Sequence, residues 1–429
     1  MTNSILDLHS CLFTESRRRF MTSACSGPGA AALQSLLNRD VVCATEERLA
    51  ARVEGLSKPN ATATNCIFIF LAGGISHVDL FDPKPALEKH AGEPLPESFT
   101  KDVRFAFIES SAKLLPSAYR FRRHGESGLE MSELLPRLAT CADDLAVVRS
   151  TYTEAFNHLP GHILMNTGVE TFGRPSVGSW VLYGLGSESQ NLPGYIVLTS
   201  RSLVRGGGAN WSNGFLPPRF QGVQFHDQGE PVLNLSLPPG IPESAQRASL
   251  DTLADLNRQR FEMLYDPEIT SRIAAYEMAF RMQSAAPELM DLSGESQNML
   301  DDYGVNRTGL QSVVATADSK PRAVSRTFSR NCLLARRLVE RGVRFVTIFH
   351  GDWDHHSGLD RGLRQNCDGV DQPIATLIKD LKQRGLLDST LVVIASEFGR
   401  TPLGQGTDGR DHHPFAFSTL LAGVGVRGG

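Results

Sequence analysis

Short, nearly continuous hydrophobic runs recur along the chain from residue 65 onward, and glycine or polar residues follow most of them. Runs of this kind are typical of strands that are buried on both faces of a parallel sheet. They predict strands at 65–72, 145–149, 195–199, 343–349, 389–395 and 418–421.

Segments with a helical pattern lie between these runs, near 131–142, 159–166, 176–184, 323–341 and 370–384. This alternation predicts an α/β fold in which helices cover both faces of a mostly parallel central sheet. Residues 201–240 interrupt the alternation with three consecutive glycines and two proline pairs, and residues 242–300 have a largely helical, polar pattern. We therefore predict a helical and loop-rich insertion, at about 201–320, that caps the site and shapes the substrate pocket.

The composition argues against nucleic-acid-binding, membrane-spanning and disulfide-rich classes of protein. The net charge of -4, with acids and bases interspersed, argues against nucleic acid or an anionic membrane as the main partner. No hydrophobic run approaches the roughly 18 residues of a spanning helix, so we expect no stable membrane insertion. The seven cysteines form no CxxC pair, which disfavours a structural zinc site and a dense disulfide framework, although one or two bridges remain possible.

Both ends of the chain carry distinctive residues. The segment SRRRFM, at 16–21, matches the twin-arginine export pattern, and the alternative is an exposed basic turn. We predict an export signal and linker at 1–40, the twin-arginine machinery as a partner, a periplasmic or extracellular location, and a domain at 41–429. The chain stops at Gly428-Gly429 directly after a strand-like run, and this pattern predicts a truncated domain.

Eight of the twelve histidines fall in four short segments that also carry carboxylates. The segments are GGISHVDLFDPK (73–84), FNHLPGHILMNTG (156–168), FHGDWDHH (349–356) and SEFGRTPLGQGTDGRDHHP (396–414). Imidazole and carboxylate together are ligands of divalent metals, and three of the segments follow predicted strands. The pattern indicates a metallohydrolase.

The segment FHGDWDHH is the most specific of the four. Asp352 and His356 are four residues apart, so both reach one ion if the loop enters a helix. Asp354 and His355 are then available to a second ion or to hydrogen bonds that orient the ligands. The alternative is a polar cap at the end of a strand.

A second group of candidates follows the predicted strand at 389–395. Glu397 lies at its carboxyl end, where a carboxylate is costly to bury without a cation. Either Glu397 pairs with Arg400, or Glu397 binds metal and Arg400 binds an anionic substrate. At least one of His412 and His413 is predicted as a ligand or transition-state donor, and adjacent residues usually point apart.

The first segment adds Asp79, which follows a buried strand and the pair Gly73-Gly74. We predict Asp79 as a metal ligand, because glycines let the chain turn closely at a strand end. A solvent-exposed loop carboxylate is the alternative.

Several motifs together resemble an exported, sulfatase-related bacterial family catalogued as domain of unknown function 1501. They are GGISHVDLFDPKP, NHLPGH, GRPSVGSWVLYGLG, SEFGRTP and GRDHHP. The order of acids and histidines is also similar to that of the alkaline phosphatase and sulfatase superfamily. The resemblance implies a three-layer α/β/α sandwich with one or two divalent ions at the carboxyl edge of the sheet, and hydrolysis or transfer of sulfate or phosphate esters.

Carried over to this chain, the resemblance implies a set of metal ligands. They are Asp79, Asp352, His356, Glu397 and either His412 or His413. Phe398 stands where the superfamily has a histidine. Because phenylalanine cannot bind a metal, one ligand of a second ion has no counterpart here, and a single-metal site is an alternative to a two-metal site.

The nucleophile position departs from the sulfatase pattern. His158 occupies the place of the residue that becomes formylglycine, and His162 occupies the place of an arginine. Because imidazole cannot become formylglycine, His158 is a direct nucleophile, a general base on metal-activated water, or a ligand in a non-catalytic protein. We favour metal-activated water, with Thr151 and Thr153 as fallback nucleophiles.

The sequence thus predicts an exported, metal-dependent hydrolase of a small-molecule or carbohydrate sulfate or phosphate ester. His158 and His162 would handle protons or the leaving group, and Arg400 would bind the anion. The divalent cofactor is Zn, Ca, Mg or Mn, since mixed nitrogen and oxygen ligands suit several metals. The competing prediction is a metal-binding or scaffold protein that retains the fold without turnover.

Overall fold

A computed structural model describes residues 63–100, 105–109, 111–200, 204–226, 229–307 and 324–429. The predicted export signal at 1–40 lies outside these residues. Within them, no helix combines the length and the hydrophobicity that crossing a membrane requires.

The described part of the chain holds eleven strands, which form one large sheet and two hairpins. They are β1 Asn65–Leu71, β2 Phe121–His124, β3 Leu129–Ser132, β4 Leu145–Thr151, β5 Tyr195–Ser200, β6 Val223–Phe225, β7 Phe345–His350, β8 Thr390–Ala395, β9 Gly399–Gln405, β10 Gly409–His413 and β11 Phe417–Gly423.

The central sheet has seven strands in the order β4-β11-β8-β1-β7-β5-β6. Strand β11 is antiparallel to both of its neighbours, and the other adjacent pairs are parallel. All six predicted strands lie in this sheet, so the prediction of a mostly parallel sheet is confirmed. The seventh, β6, has only three residues, too few for a clear hydrophobic pattern.

Ten α-helices and three 3-10 helices are present among the described residues. The α-helices are α1 His77–Leu80, α2 Pro85–Lys89, α3 Glu97–Thr100, α4 His158–Thr167, α5 Val177–Leu185, α6 Glu243–Leu264, α7 Pro267–Met290, α8 Gln297–Tyr303, α9 Val324–Glu340 and α10 Leu359–Gln383. The 3-10 helices are Leu138–Asp144, Gly207–Trp211 and Pro218–Phe220.

Four of the five predicted helices coincide with α4, α5, α9 and the second half of α10. The predicted helix at 131–142 is wrong. Strand β3 ends inside that segment, and only a 3-10 helix follows it. Pro136 separates the two elements, because proline has no N–H to continue a helix.

The alternating side chains of β1 divide the core into two parts. Ile67 and Ile69 join the larger cluster, to which α9, α10 and the buried side of α7 contribute. Phe68 and Phe70 join a second cluster on the opposite face, with Leu182 of α5. Because successive strand residues point to opposite faces, one strand supports both helical layers. The predicted three-layer α/β/α arrangement is confirmed.

Helix α5 packs against β5 through a glycine, and this contact yields a testable prediction. A Cβ atom at Gly178 would lie 2.6 Å from the buried Tyr195 ring, whereas one at Gly184 would meet nothing within 4 Å. Gly178→Ala should lower the free energy of unfolding by about 1–3 kcal/mol because the core is overpacked. Gly184→Ala should leave it unchanged or raise it by up to about 1 kcal/mol. Equal effects in urea unfolding would contradict the close packing.

Candidate metal centre

The site lies where β8, β1 and β7, three adjacent central strands, reach the carboxyl edge of the sheet. Loops after parallel strands meet at one such edge, so residues distant in sequence come together there. Helix α4 and the β9–β10 hairpin complete the site. The contributing residues are Gly73 after β1, His158 and His162 in α4, Asp354 and His356 after β7, Glu397 after β8, and Arg400 and His412 in the hairpin.

The loops after β1 and β7 pack unusually close together at Gly73. The Trp353 amide donates a hydrogen bond to the Ala72 carbonyl at 3.2 Å. A Cβ atom at Gly73 would lie 2.6 Å from the backbone nitrogen of Asp354, and the φ angle of Gly73 is 126°. Only glycine permits this approach, which brings Asp354 beside the end of β1.

Three imidazoles surround the Asp354 carboxylate. His356 Nε2 lies 2.9 Å from Asp354 Oδ1, and His412 Nε2 lies 3.4 Å from the same oxygen. His158 Nε2 lies 3.0 Å from Asp354 Oδ2. One ligand atom from each of the four residues falls within 4.8 Å of all the others, the separation expected of side chains that share an ion.

Each of these imidazoles is held through its Nδ1 atom by an oxygen that accepts a hydrogen bond. The acceptors are Glu397 Oε1 for His158 at 2.6 Å, Gln405 Oε1 for His356 at 2.5 Å, and the Phe156 carbonyl for His412 at 2.6 Å. An imidazole that donates from Nδ1 presents the lone pair of Nε2 in its neutral form. The Nε2 atoms of His356 and His412 are therefore oriented as ligands, in the way that outer hydrogen bonds orient metal-bound histidines, and His158 Nε2 faces the same carboxylate.

Two features test whether a cation fits this arrangement. The Nε2 atoms of His356 and His412 lie 2.9 Å apart, and two lone pairs at that distance repel unless a proton or cation lies between them. The Nε2 atom of His158 is buried and has no well-aligned hydrogen-bond partner among the described residues. Nitrogen ligands beside one carboxylate suit a divalent metal, so the residues fit.

Arg400 lies behind Asp354 and is fully buried. Its guanidinium donates to Asp354 Oδ1 at 2.6 Å and to the carbonyls of Gly73, Gly74 and Arg410. These contacts are all within the protein, and Arg400 does not line the cavity beside the cluster. Arg400 is therefore a buried partner that fixes Asp354.

Glu397 is also fully buried and connects two histidines of α4. Its Oε1 atom accepts from His158 Nδ1, from His162 Nε2 at 3.1 Å, and from the Gly73 amide at 2.8 Å. Burial alone would raise the pKa of the Glu397 carboxyl, but the two imidazoles hold it well below its usual value. Glu397 thus remains ionised and orients both rings.

The charges of the cluster shift the pKa values of its members in different directions. Burial opposes ionisation of Asp354, but the three neighbouring imidazoles and Arg400 lower its pKa far below the usual value. Burial also disfavours the charged form of His158, and the carboxylates of Asp354 and Glu397 outweigh it, raising its pKa to about 9. Asp354 raises the pKa of His356, whereas burial lowers that of His412.

Of the predicted ligands, Glu397 lies outside the cluster in a second group of potential ligands with His158 and His162, and three others lie outside both groups. Asp79 forms a buried ion pair with Arg410, with distances of 2.8 Å and 3.1 Å to its two oxygens. His413 points away from His412 and stacks on His77, with ring centroids 6.2 Å apart. This resolves which of the paired histidines faces the site.

Asp352 is the third predicted ligand outside both groups. It occupies the turn directly after β7, with a φ angle of 69°, and it lines the neighbouring cavity. The predicted spacing from Asp352 to His356 required helical backbone, but α10 begins only at Leu359. In the extended loop, Asp354 and His356, two residues apart, share one side.

The fallback nucleophiles make ordinary contacts elsewhere. The Thr151 hydroxyl donates to the Thr419 hydroxyl at 3.2 Å, between paired strands. The Thr153 hydroxyl accepts from the Ala155 amide at 3.2 Å. Neither residue belongs to the cluster or lines the cavity beside it.

A cavity of about 640 Å³ opens beside the cluster. Its size suits a small organic molecule. The lining residues are Ala72, Gly73, His158, His162, Val204, Arg205, Gly351, Asp352 and Asp354. Val204 and Arg205 come from the predicted insertion.

Comparison with family models gives one match. Residues 63–429 match the model described as "Protein of unknown function (DUF1501)". The comparison with curated proteins gives no match.

Comparison with solved structures gives phosphatases, sulfatases and related enzymes at low identity. Alkaline phosphatase from the Antarctic bacterium TAB5 is 9% identical, with 84% of this chain and 92% of that chain covered and a TM-score of 0.33. The sulfatase PsFucS1 from Pseudoalteromonas sp. is 11% identical, with 88% and 66% covered and a TM-score of 0.34. The lipoteichoic acid synthase LtaP from Listeria monocytogenes is 8% identical, with 86% and 69% covered and a TM-score of 0.34.

Metal binding at the cluster should compete with protons. Since Asp354 raises the pKa of His356, that imidazole holds a proton to higher pH, and a cation that binds its Nε2 must displace the proton. We expect the affinity for Zn²⁺ to fall as pH is lowered through this raised pKa. Calorimetric titration at neutral pH, in buffers of different ionisation enthalpy, should show proton release. Binding without proton release would contradict the ligand role of His356.

Because Asp79 pairs with Arg410 outside the cluster, replacing it should destabilise the fold without loss of bound metal. Asp79→Asn removes the charge that pairs with buried Arg410 and should lower the free energy of unfolding by about 3–5 kcal/mol. Asp255→Asn, in the exposed pair with Arg258, is the matched control and should cost at most about 1 kcal/mol. Loss of stoichiometric metal from folded Asp79→Asn protein would instead identify Asp79 as a ligand.

Proposed function

The chain belongs to the DUF1501 family, as its motifs predicted, and we propose that it is a divalent-metal-dependent hydrolase of phosphate or sulfate esters. One observation supports this proposal most directly. Imidazoles with fixed Nδ1 hydrogen bonds turn their Nε2 atoms toward Asp354, and Asp354 lines a cavity large enough for a substrate.

Asp354, His356 and His412 are the residues that would hold the ion. Two imidazoles and one carboxylate leave coordination positions for substrate, which distinguishes a catalytic site from a closed structural one. Imidazole nitrogen ligands favour zinc over calcium, magnesium and manganese, which prefer oxygen ligands. When bound, the cation would act as a Lewis acid on the ester and lower the pKa of His158 toward neutrality.

His158 is suited to donate a proton to the departing alcohol. It lies at the first position of α4 and lines the cavity, and Glu397 fixes its Nδ1. Asp354 and Glu397 outweigh burial and raise the pKa of His158 to about 9, and a bound cation would lower it toward the operating pH, where a general acid is most effective. This differs from the general base that the sequence favoured, since two carboxylates flank the ring.

His162 is suited to accept a proton from the attacking water. It lines the cavity, its Nε2 contacts Glu397, and its buried Nδ1 has no partner among the described residues. The water oxygen bonds to phosphorus or sulfur as the ester bond breaks, and His162 takes a proton while His158 gives one. Both rings contact Glu397 Oε1, which offers a route for the proton to return.

Export remains part of the proposal. Twin-arginine routes carry folded proteins, so a cation can be bound before the chain leaves the cytoplasm. The arginines at 17–19 support this route, and the substrate would then be an ester outside the cytoplasm.

A second candidate function is metal binding without turnover. It is favoured by the absence of any hydroxyl or thiol side chain among the described residues that line the cavity. Such a protein would retain the ion and hydrolyse no ester.

Metal analysis and an ester panel separate the two candidates. Purified full-length protein should contain bound metal and hydrolyse at least one aryl phosphate or sulfate, with loss of activity on chelation. His158→Ala should lower kcat by about 10²–10⁴-fold while metal is retained, because a proton donor is lost. His356→Ala should lose both metal and activity.

His413→Ala is the matched control, since it lies beside His412 and faces away from the cluster. It should keep metal and activity, with near-UV circular dichroism as the check of folding. Bound metal without turnover of any ester would favour the second candidate, and absence of metal would contradict both.

A further inference from the structure

The cavity beside the metal centre has a charge imbalance for an anionic substrate. Asp354 lines it, and a carboxylate repels a phosphate or sulfate group. Arg400, the cation nearest to Asp354, is fully buried and donates only to protein oxygens. A cationic side chain other than His158 and Arg400 that reaches the cavity would offset the repulsion.

Arg205 has that position. Among the described residues that line the cavity, it is the one lysine or arginine, and its side chain is exposed. No hydrogen bond or ion pair to another described residue occupies its guanidinium. Its planar donors match the oxygens of a phosphate or sulfate group, which arginine binds through two parallel hydrogen bonds.

The loop that carries Arg205 is fixed on the helix that carries the catalytic histidines. Gly206 has a φ angle of 86°, and a Cβ atom there would lie 3.0 Å from the Ile163 side chain of α4. The buried Asn210 amide donates to the Arg205 carbonyl at 2.8 Å and to the Gly207 carbonyl at 3.0 Å. Asn166 of α4 donates to Asn210 at 3.4 Å.

We propose that Arg205 binds the anionic group of the substrate in the cavity that Asp354 also lines. This inference rests on the proposed function, since it assigns the substrate contact within the same site. It also gives the insertion a specific role, because Arg205 lies at its start. Arg205 is a binding residue, separate from the metal ligands and from the proton-transferring pair.

Binding of inorganic phosphate to the metal-loaded, full-length protein tests this inference without turnover. Arg205→Gln should weaken phosphate binding by about tenfold or more, because a charge-assisted bidentate contact is lost. Arg205→Lys should retain part of the affinity, since the charge remains. Arg219→Gln is the matched control: it removes an exposed arginine of the same insertion that lines a different cavity, and affinity should stay within about twofold.

All variants should keep the same metal content, which separates loss of the anion contact from loss of the ion. Equal phosphate affinity in wild type and Arg205→Gln would overturn the role of Arg205 and leave the hydrolase proposal intact. Failure of the metal-loaded wild type to bind phosphate or sulfate would also overturn it. Phosphate binding that depends on Arg205, without hydrolysis of any ester, would retain the anion site and reject the hydrolase.

Discussion

The hydrogen bonds at the Nδ1 atoms of three histidines are the constraint on which the site depends. Each of His158, His356 and His412 donates to a different acceptor, so each ring has one tautomer and one orientation when neutral. The lone pairs of Nε2 then face a common space beside Asp354. A cation relieves the repulsion between these atoms and pairs with the carboxylate. In the proposed function, metal binding would therefore depend on contacts made outside the ligand shell.

The fold supplies these contacts because three adjacent strands end at one edge of the sheet. Gly73, after the central strand, allows the Asp354 backbone to approach within a distance that any side chain would prevent. Arg400 and His412 are opposite each other in the β9–β10 hairpin, so their side chains share one face. Arg400 secures Asp354 from behind while His412 contacts it from the side. Glu397 joins α4, through His158 and His162, to the same strand ends.

Much of this arrangement could be predicted from sequence, because buried strands are continuous hydrophobic runs and their carboxyl ends converge. That reasoning located the sheet, Glu397 and the histidine segments. The same reasoning chose Asp352 over Asp354 as a ligand. The correct choice depends on the left-handed backbone conformation of Asp352 after β7, and no local sequence pattern specifies that conformation. The choice between His412 and His413 likewise depends on hairpin register, a property of the partner strand. A buried arginine and an exposed arginine look alike in a sequence, so only the three-dimensional structure shows that Arg400 is buried against Asp354 and that Arg205 lines the cavity.

The most direct measurement of the central claim is a crystal structure of the full-length protein grown with Zn²⁺ or Mn²⁺, with anomalous diffraction recorded at the metal edge. The account predicts one anomalous peak bonded to Asp354 oxygen and to the Nε2 atoms of His356 and His412, at about 2.0–2.2 Å for zinc. The Nδ1 hydrogen bonds should persist in that structure. A peak elsewhere, or an ion bound by Asp79 or Asp352 without these imidazoles, would contradict the account.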